Sequence, residues 1–415
     1  MEDIKFRAVL VGVDYKDIAF NIDVSMKELK SLAEALNIEV VDSVVQNMDY
    51  VHVKSYIGSG KVEELRLMIK GLDANLVIVN EELTPSQLQN LEAGLECEVI
   101  DRTYLILEIF AKRARTKEAH LQVDIARLQY MLPRLIGMNE SMYSEQGGSG
   151  FRGGGETQLE LDRRRIKKEI ASKRHELEEA VKQRQIQRSR RKKNNVPVVA
   201  LVGYTNSGKS SLLNRFLKEY AHEEKQVFAK DMLFATLETS TRHIELPNKK
   251  QFLLTDTVGF VNQLPTTLVK AFRSTLEEVN EADLLVHVID ASNPNYETQI
   301  EVTNKVLSEI GVKDIPMVYV YNKMDVCENV LIHKDDVVYM SVLKDKNIDE
   351  LVKVICDKLY DDTLCRMFIP YSDMKIYSYL KDKTNILTEE AQDEGYTIEV
   401  MLSSADRNKF ESFIK

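Results

Sequence analysis

One stretch narrows the possible folds of this chain more than any other. Val198-Val199-Ala200-Leu201-Val202 runs straight into Gly203-Tyr204-Thr205-Asn206-Ser207-Gly208-Lys209-Ser210-Ser211. The apolar run ending in glycine predicts a buried strand, and Leu212, Leu213, Phe216 and Leu217 beyond it repeat at helical spacing. A Gly-x4-Gly-Lys-Ser turn between strand and helix is a phosphate-binding loop, and the spacing has a physical purpose. Gly203 and Gly208 let the backbone curl so that successive N–H groups face phosphate oxygens. Lys209 is placed for the β- and γ-phosphates, and the Ser210 hydroxyl for a magnesium ion. The positive end of the following helix points at the same anion. A solvated lysine after a Gly-rich turn is the bland alternative, and the flanking strand and amphipathic helix weigh against it.

The parts needed to choose the nucleotide follow in chain order. Leu253-Leu254-Thr255-Asp256-Thr257-Val258-Gly259 is an apolar strand ending in aspartate and glycine, which places Asp256 on magnesium and the Gly259 N–H on the γ-phosphate. Met317–Tyr321 is another buried run, closing in Asn322-Lys323-Met324-Asp325. The Asp325 carboxylate can accept from the guanine N1–H and amine, which adenine does not offer. Asn322 can donate to the other purine edge, and the Lys323 stem can lie along the ring. Val338-Tyr339-Met340-Ser341 is the next strand end, bringing a backbone N–H near guanine O6 at Ser341 and Val342. Together these make GTP, with GDP as product, the ligand, and Asn322–Asp325 argue against a metabolic ATPase or kinase. Between loop and Asp256, a switch threonine is needed whose hydroxyl meets magnesium only when the γ-phosphate is present. Thr236 is the choice, with Thr239, Ser240 and Thr241 as strand or capping residues nearby.

Phe260 occupies the position after Gly259 where many GTPases carry the glutamine that orients the attacking water. Phenylalanine has no group for that task, so slow intrinsic hydrolysis with an external activator is expected. A substitute in cis, such as His243, is the other reading.

The rest of the 415 residues reads as three further blocks. Residues 1–102 alternate strands (Phe6–Val13, Ile38–Val45, Leu76–Val79, Glu98–Ile100) with helices, predicting a small, mostly parallel α/β domain. Ser25-Met26-Lys27-Glu28 reads as a capping box. Gly58-Ser59-Gly60-Lys61 looks like a second phosphate loop but lacks its first glycine and its Ser/Thr, since Ser55 and Val62 stand there. Residues 103–194 change pattern. Ala114, Leu121, Ile125, Leu128, Leu132 and Leu135 form a heptad seam, Pro133 should kink or end that helix, and 137–155 is a glycine-rich break. A second helix from Glu156 to about Arg191 should fold back on the first as an antiparallel hairpin. Residues 363–415 form a small α/β appendage after a GTPase domain at 195–362.

Charge matters in the hairpin alone. The chain has a net charge of −10, yet Arg152 to Lys193 hold fifteen Lys/Arg against seven Asp/Glu, a local +8. Arg152, Gly153, Gly154 and Gly155 at the tip and Arg163, Arg164 and Arg165 beyond it suit phosphate contacts on RNA, against a merely solvated helix face. Aromatics are nearly absent there, so shape and phosphates would be read rather than bases. The four scattered cysteines argue for a reducing compartment and against a disulfide framework. With no run of ~20 apolar residues and no signal-like start, a cytoplasmic protein is expected.

The segment Gly147-Gly148-Ser149-Gly150-Phe151-Arg152-Gly153-Gly154-Gly155-Glu156-Thr157-Gln158-Leu159-Glu160-Leu161-Asp162 resembles the signature of the HflX family of GTPases. So do Phe234–Leu237, Asp256–Phe260, Ala282–Ala291 and Tyr56–Lys61, so that the resemblance spans roughly residues 1–360. It implies a ribosome-associated GTPase, acting as a monomer with Mg2+, that docks on the large ribosomal subunit and its rRNA. It further implies splitting of stalled or hibernating ribosomes, the hairpin reaching the peptidyl-transferase region. Gly203, Asn206, Gly208, Lys209, Ser210, Thr236, Asp256, Gly259, Asn322, Lys323, Asp325 and Ser341 carry over as nucleotide or magnesium contacts, with Lys209, Thr236 and Gly259 in the catalytic set. A GTP-licensed rRNA-binding factor for large-subunit assembly is the alternative function.

Overall fold

The computed structural model describes residues 6–16, 21–144, 154–192, 196–220, 240–262, 277–327 and 336–414. The chain divides into two compact units, one made chiefly of Met1–Arg188 and the other of most of the chain from Ser189 to Lys415.

The first unit opens with a four-stranded, all-parallel sheet of β1 (Arg7–Asp14), β2 (Glu39–Asn47), β3 (Leu76–Val79) and β4 (Glu98–Asp101), in the order β2-β1-β3-β4. β1 and β3 are buried nearly throughout, as strands covered on both faces must be. Val9, Val11, Val77 and Val79 pack with Leu65 and Ile69 of α2 (Ser59–Leu72) and Leu91 and Leu95 of α3 (Pro85–Leu95). The first helix, α1 (Ile22–Ala35), begins earlier than expected. Asn21 caps it by accepting from the N–H groups of Asp23 and Val24. Ser25 is therefore inside the helix rather than at its cap, and its hydroxyl instead donates to Asn80 Oδ1 at 3.0 Å. The capping box lies at α3, where Thr84 and Gln87 satisfy each other's backbone.

α4 (Arg102–Arg113) ends at Ala114, which leaves the predicted seam. α5 (Lys117–Ser144) then runs unbroken through Pro133 and through the first part of the expected break. Tertiary contacts on either side of the proline explain this. The Arg134 guanidinium stacks 3.3 Å above the Tyr130 ring and donates to Tyr130 O, Leu83 O and the buried Asp101 carboxylate. Such anchors outweigh the ~3 kcal/mol that an interior proline costs a helix. α6 (Gly154–Lys192) is antiparallel to α5, since Lys117 pairs with Glu176 and Lys173 with Asp124 at 2.8 Å.

The second unit is built on a six-stranded sheet in the order β10-β9-β8-β5-β7-β6. Its strands are β5 (Val198–Val202), β6 (Ser240–Glu245), β7 (Gln251–Asp256), β8 (Leu284–Asp290), β9 (Met317–Asn322) and β10 (Val337–Tyr339), and β6 alone is antiparallel. One core joins Leu201, Leu254, Val286 and Val320 to Leu212 and Phe216 of α7 (Lys209–Tyr220) and to Leu351 and Ile355 of α9 (Ile348–Leu359). α8 (Tyr296–Glu309) packs on β8. The fold is thus α/β with a doubly wound, mostly parallel sheet, in which ligands bind beyond the carboxyl ends of the strands. A three-stranded antiparallel sheet closes the chain in the order β11 (Thr363–Pro370), β13 (Gly395–Leu402), β12 (Ile386–Gln392), with α10 (Met374–Lys383) and α11 (Ser404–Lys409). β12, Ile-Leu-Thr-Glu-Glu-Ala-Gln, is exposed almost throughout and carries no alternating burial pattern in its sequence.

Candidate functional site

Four loops meet the carboxyl edge of the large sheet, after β5, β7, β9 and β10, and these loops carry the predicted residues. The first is shaped by real steric demand. Gly203 has φ +140° and Gly208 φ +102°, with Asn206 at +60° between them. A Cβ on Gly203 would stand 2.2 Å from the Val288 carbonyl oxygen, and one on Gly208 would stand 2.2 Å from Asn322 Nδ2. Side chains are thus excluded at both glycines by conformation and by space.

Lys209 begins α7, is buried, and donates to Gly203 O at 3.0 Å and Tyr204 O at 2.7 Å. Burial pulls its amine down to about 8, with Asp256 partly opposing the shift. Ser210 donates to Asp256 Oδ2 at 2.7 Å, which joins the hydroxyl after the loop lysine to the carboxylate at the end of β7. Asp256 is fully buried. Tyr204, Thr205 and Ser207 are buried as well, whereas Asn206 and Ser211 face outward.

The residues predicted to read guanine are joined by hydrogen bonds among themselves. Asn322 donates to Ser207 O at 2.9 Å and accepts from Val342 N at 3.1 Å, so it ties the phosphate loop to the loop after β10. The Ser341 hydroxyl donates to Asp325 Oδ1 at 2.5 Å, and that hydrogen bond holds the Asp325 carboxyl below its usual range. The Ser341 N–H donates to Lys346 O, so the backbone donors of both Ser341 and Val342 have protein partners here. Lys323 sits at φ +65° and pairs with Asp290 at 2.7 Å. Arg215 of α7 grips Asp345 through two bonds of 2.6 and 2.9 Å, anchoring the loop that contains Ser341 and Val342.

The segment after Asp256 closes against the phosphate loop. Phe260 and Tyr204 form a parallel bridge in which Thr205 N donates to Phe260 O at 2.7 Å and Phe260 N donates to Gly203 O at 3.2 Å. The Phe260 ring is 1% exposed, so it is a packing group beside the loop and offers nothing to a water. His243 does not take that role either. It is exposed on β6 opposite Leu253, whereas Asp256 pairs with Ser240, about 10 Å away along the ladder at ~3.3 Å per residue.

Thr236, Arg152 and Gly153 lie outside the described residues. Gly154 and Gly155 are the first residues of α6, and Arg163, Arg164 and Arg165 are exposed on it, Arg164 pairing with Glu160 at 3.3 Å. Three residues near the loops escaped the reading of the sequence as site residues: Asp290, Arg215 and the buried His287. Asp290 had a signal, since it ends an apolar run as Asp256 does. Arg215 and Asp345 lie 130 residues apart, so nothing local could pair them. The His287 ring lies 5.4 Å from that of Tyr319, tilted by 37°, and burial drives its pKa down to about 3, so it is neutral.

A parallel strand, a glycine-shaped loop with a buried lysine, an aspartate at the end of β7 and an Asn-Lys-x-Asp turn define a P-loop GTPase. Comparisons with known proteins agree. Family descriptions match over residues 23–111 ("GTP-binding GTPase N-terminal"), 113–191 ("GTP-binding GTPase Middle Region") and 198–323 ("50S ribosome-binding GTPase"). GTPase HflX of Caldanaerobacter subterraneus subsp. tengcongensis is 43% identical over 411 residues, 99% of this chain and 94% of that protein. GTPase HflX of Escherichia coli K12 is 43% identical over 304 residues, covering 73% and 70%. A GTP-binding protein of Sulfolobus solfataricus solved with GDP aligns over 85% of this chain and 98% of its own, at 26% identity and TM-score 0.45. The chain belongs to the HflX family of GTPases, and it hydrolyses GTP to GDP and phosphate. None of the described helices is long and apolar enough to cross a membrane.

Proposed function

We propose that GTP in this site times the action of a ribosome-directed arm: the protein docks on the large ribosomal subunit and parts stalled or hibernating ribosomes into subunits. The observation that carries this reading is the hairpin. α5 and α6 form a long antiparallel pair whose second helix displays Arg163, Arg164 and Arg165 to solvent, a surface suited to rRNA phosphates. The description of the family matched at residues 198–323 as ribosome-binding supports the same partner.

In this reading the four blocks 1–102, 103–194, 195–362 and 363–415 act as separate domains, in the cytoplasm. Gly203–Ser211 hold the phosphates, Asn322, Lys323, Asp325, Ser341 and Val342 hold guanine, and Gly259 senses the γ-phosphate. Magnesium fits the chemistry of the donors. Ser210 Oγ and Asp256 Oδ2 are hard oxygens that already converge at 2.7 Å, and magnesium takes few protein ligands besides water and phosphate. Thr236 would join them. When bound, the ion neutralises charge developing on the phosphates. The chain's own part is to hold the phosphates with Lys209 and the loop N–H groups and to keep bulk water from the γ-position.

Sedimentation of intact ribosomes with the protein and a nonhydrolysable GTP analogue tests this. Separation into subunits is expected, and it should be lost in the R163E/R164E/R165E variant. Binding to large subunits with intact ribosomes left whole would replace this reading by the assembly-factor one.

A further inference from the structure

A lysine stem that lies along a purine ring binds best if it is already extended when the base arrives. A free lysine is not, because its long stem samples many rotamers and ordering it costs binding free energy. Lys323 is fixed at both ends. Its backbone takes φ +65°, a left-handed conformation that residues with side chains adopt at a cost. Its Nζ donates to Asp290 Oδ2 at 2.7 Å, the two side chains being 29% and 16% exposed.

Asp290 is itself held in place. Its other oxygen, Oδ1, accepts from Ser292 N at 3.1 Å and from Ser292 Oγ at 2.5 Å. It ends β8 directly opposite Asn322 of β9. The next residue, Ala291, donates its N–H to Asn322 O at 3.0 Å, and its carbonyl accepts from Cys327 Sγ at 3.4 Å. The turn after β8 thus grips the Asn322–Cys327 segment at both ends, and Lys323 lies between the two grips. Arg215 and Asp345 make a second long-range link at this edge, but Asp345 is 57% exposed and such a pair is screened by solvent.

We propose that Asp290 is a positioning residue for guanine, holding the Lys323 stem extended over the face of the base. It touches no atom of the nucleotide and acts through the lysine alone. Its influence falls on the ring face, whereas Asp325 reads the hydrogen-bonding edge. Hypoxanthine has the same face as guanine but lacks the 2-amino group, so the two bases should feel the loss of Asp290 equally.

The proposal rests on Asn322–Asp325 being the guanine seat, and the experiment separates the two. Asp290→Asn keeps the shape and the acceptor that Ser292 uses, but presents the lysine with an amide in place of a carboxylate. It is compared with Lys323→Ala, with the double variant and with the parent for affinity toward GDP, IDP and ADP. Asp290→Asn should weaken GDP by about fivefold or more, the scale of ordering one long side chain on binding. IDP should weaken by the same factor to within about twofold, and in the Lys323→Ala background Asp290→Asn should add no further loss. The KM for GTP should rise while the rate at saturation is kept, as for binding shared by ground and transition states. The thermal midpoint should stay near the parental one, because the pair is partly exposed. Parental GDP affinity in Asp290→Asn, an additive loss in the double variant, or a loss for GDP that IDP does not share would overturn the proposal. Equal affinity of the parent for GDP and ADP would instead overturn the guanine seat itself.

Discussion

The chain contains Ser-Gly-Lys turns at the start of a helix in two places, and they behave differently. In Gly203–Lys209 the glycines take positive φ, side chains there would strike backbone or Asn322, and the lysine is buried against loop carbonyls. In Gly58–Lys61 the backbone is ordinary. Gly58 has φ −66° and donates its N–H to Gln46, a Cβ on Gly60 would meet nothing within 4 Å, and Lys61 pairs with Glu64 at 2.7 Å. Both precede a helix N-terminus in a parallel α/β sheet. A helix end alone therefore does not make a phosphate seat; the loop must be held open by residues that tolerate nothing larger, with its donors aimed inward. In the second turn a glutamine side chain already takes a donor that an anion would need.

Substitutions at a glycine of each turn should give effects of opposite sign. Gly203→Ala must move the Val288 carbonyl and hold alanine at positive φ, so a loss of about 3 kcal/mol or more in unfolding free energy is expected, with nucleotide binding abolished. Gly60→Ala, inside α2 with open space around it, should gain about 0.5–1 kcal/mol. Chemical denaturation of both variants checks this, and a comparable loss in both would erase the distinction. Next in size, Lys209→Ala should weaken GDP by about a hundredfold, the value of a buried charge-assisted contact. Lys61→Ala should change GDP affinity by less than about twofold and stability by under ~0.5 kcal/mol, because an exposed ion pair contributes little.

A pH effect should belong to the first turn alone. Lys209 loses its proton near pH 8 in the free protein, because burial disfavours the charged form. Phosphate favours the charged amine, so binding above that pH must take up a proton. GDP affinity should fall as pH rises from 7 to 9, by up to about tenfold per unit above 8. Titration calorimetry in buffers of different ionisation enthalpy reports the proton directly, and a pH-independent affinity would contradict the buried-lysine account. Smallest of the site effects, Ser210→Ala should reduce the magnesium dependence of GDP binding by about tenfold while leaving metal-free binding unchanged.

How much of this was legible depended on whether the determinants were local. The phosphate loop, Asp256 and Asn322–Asp325 could be read because each is a contiguous run at a strand's carboxyl end. What the sequence hid was pairing at a distance. Ser25 looked like a helix cap but is drawn into a buried cluster with Asn80 and Arg102. Pro133 looked like a helix terminus but is bracketed by Tyr130 and Arg134, which other segments hold in place. Phe260 could be recognised as the wrong residue for orienting water. Its backbone bridge to Tyr204 becomes visible only in three dimensions.

We propose that this site is a GTP timer whose activator is the large ribosomal subunit. Single-turnover hydrolysis of GTP, measured with and without purified large ribosomal subunits, tests it most directly. Slow hydrolysis by the protein alone is expected, with acceleration by about a hundredfold or more when subunits are added, the scale of completing a catalytic constellation. Fast hydrolysis by the protein alone, unchanged by the subunits, would contradict it.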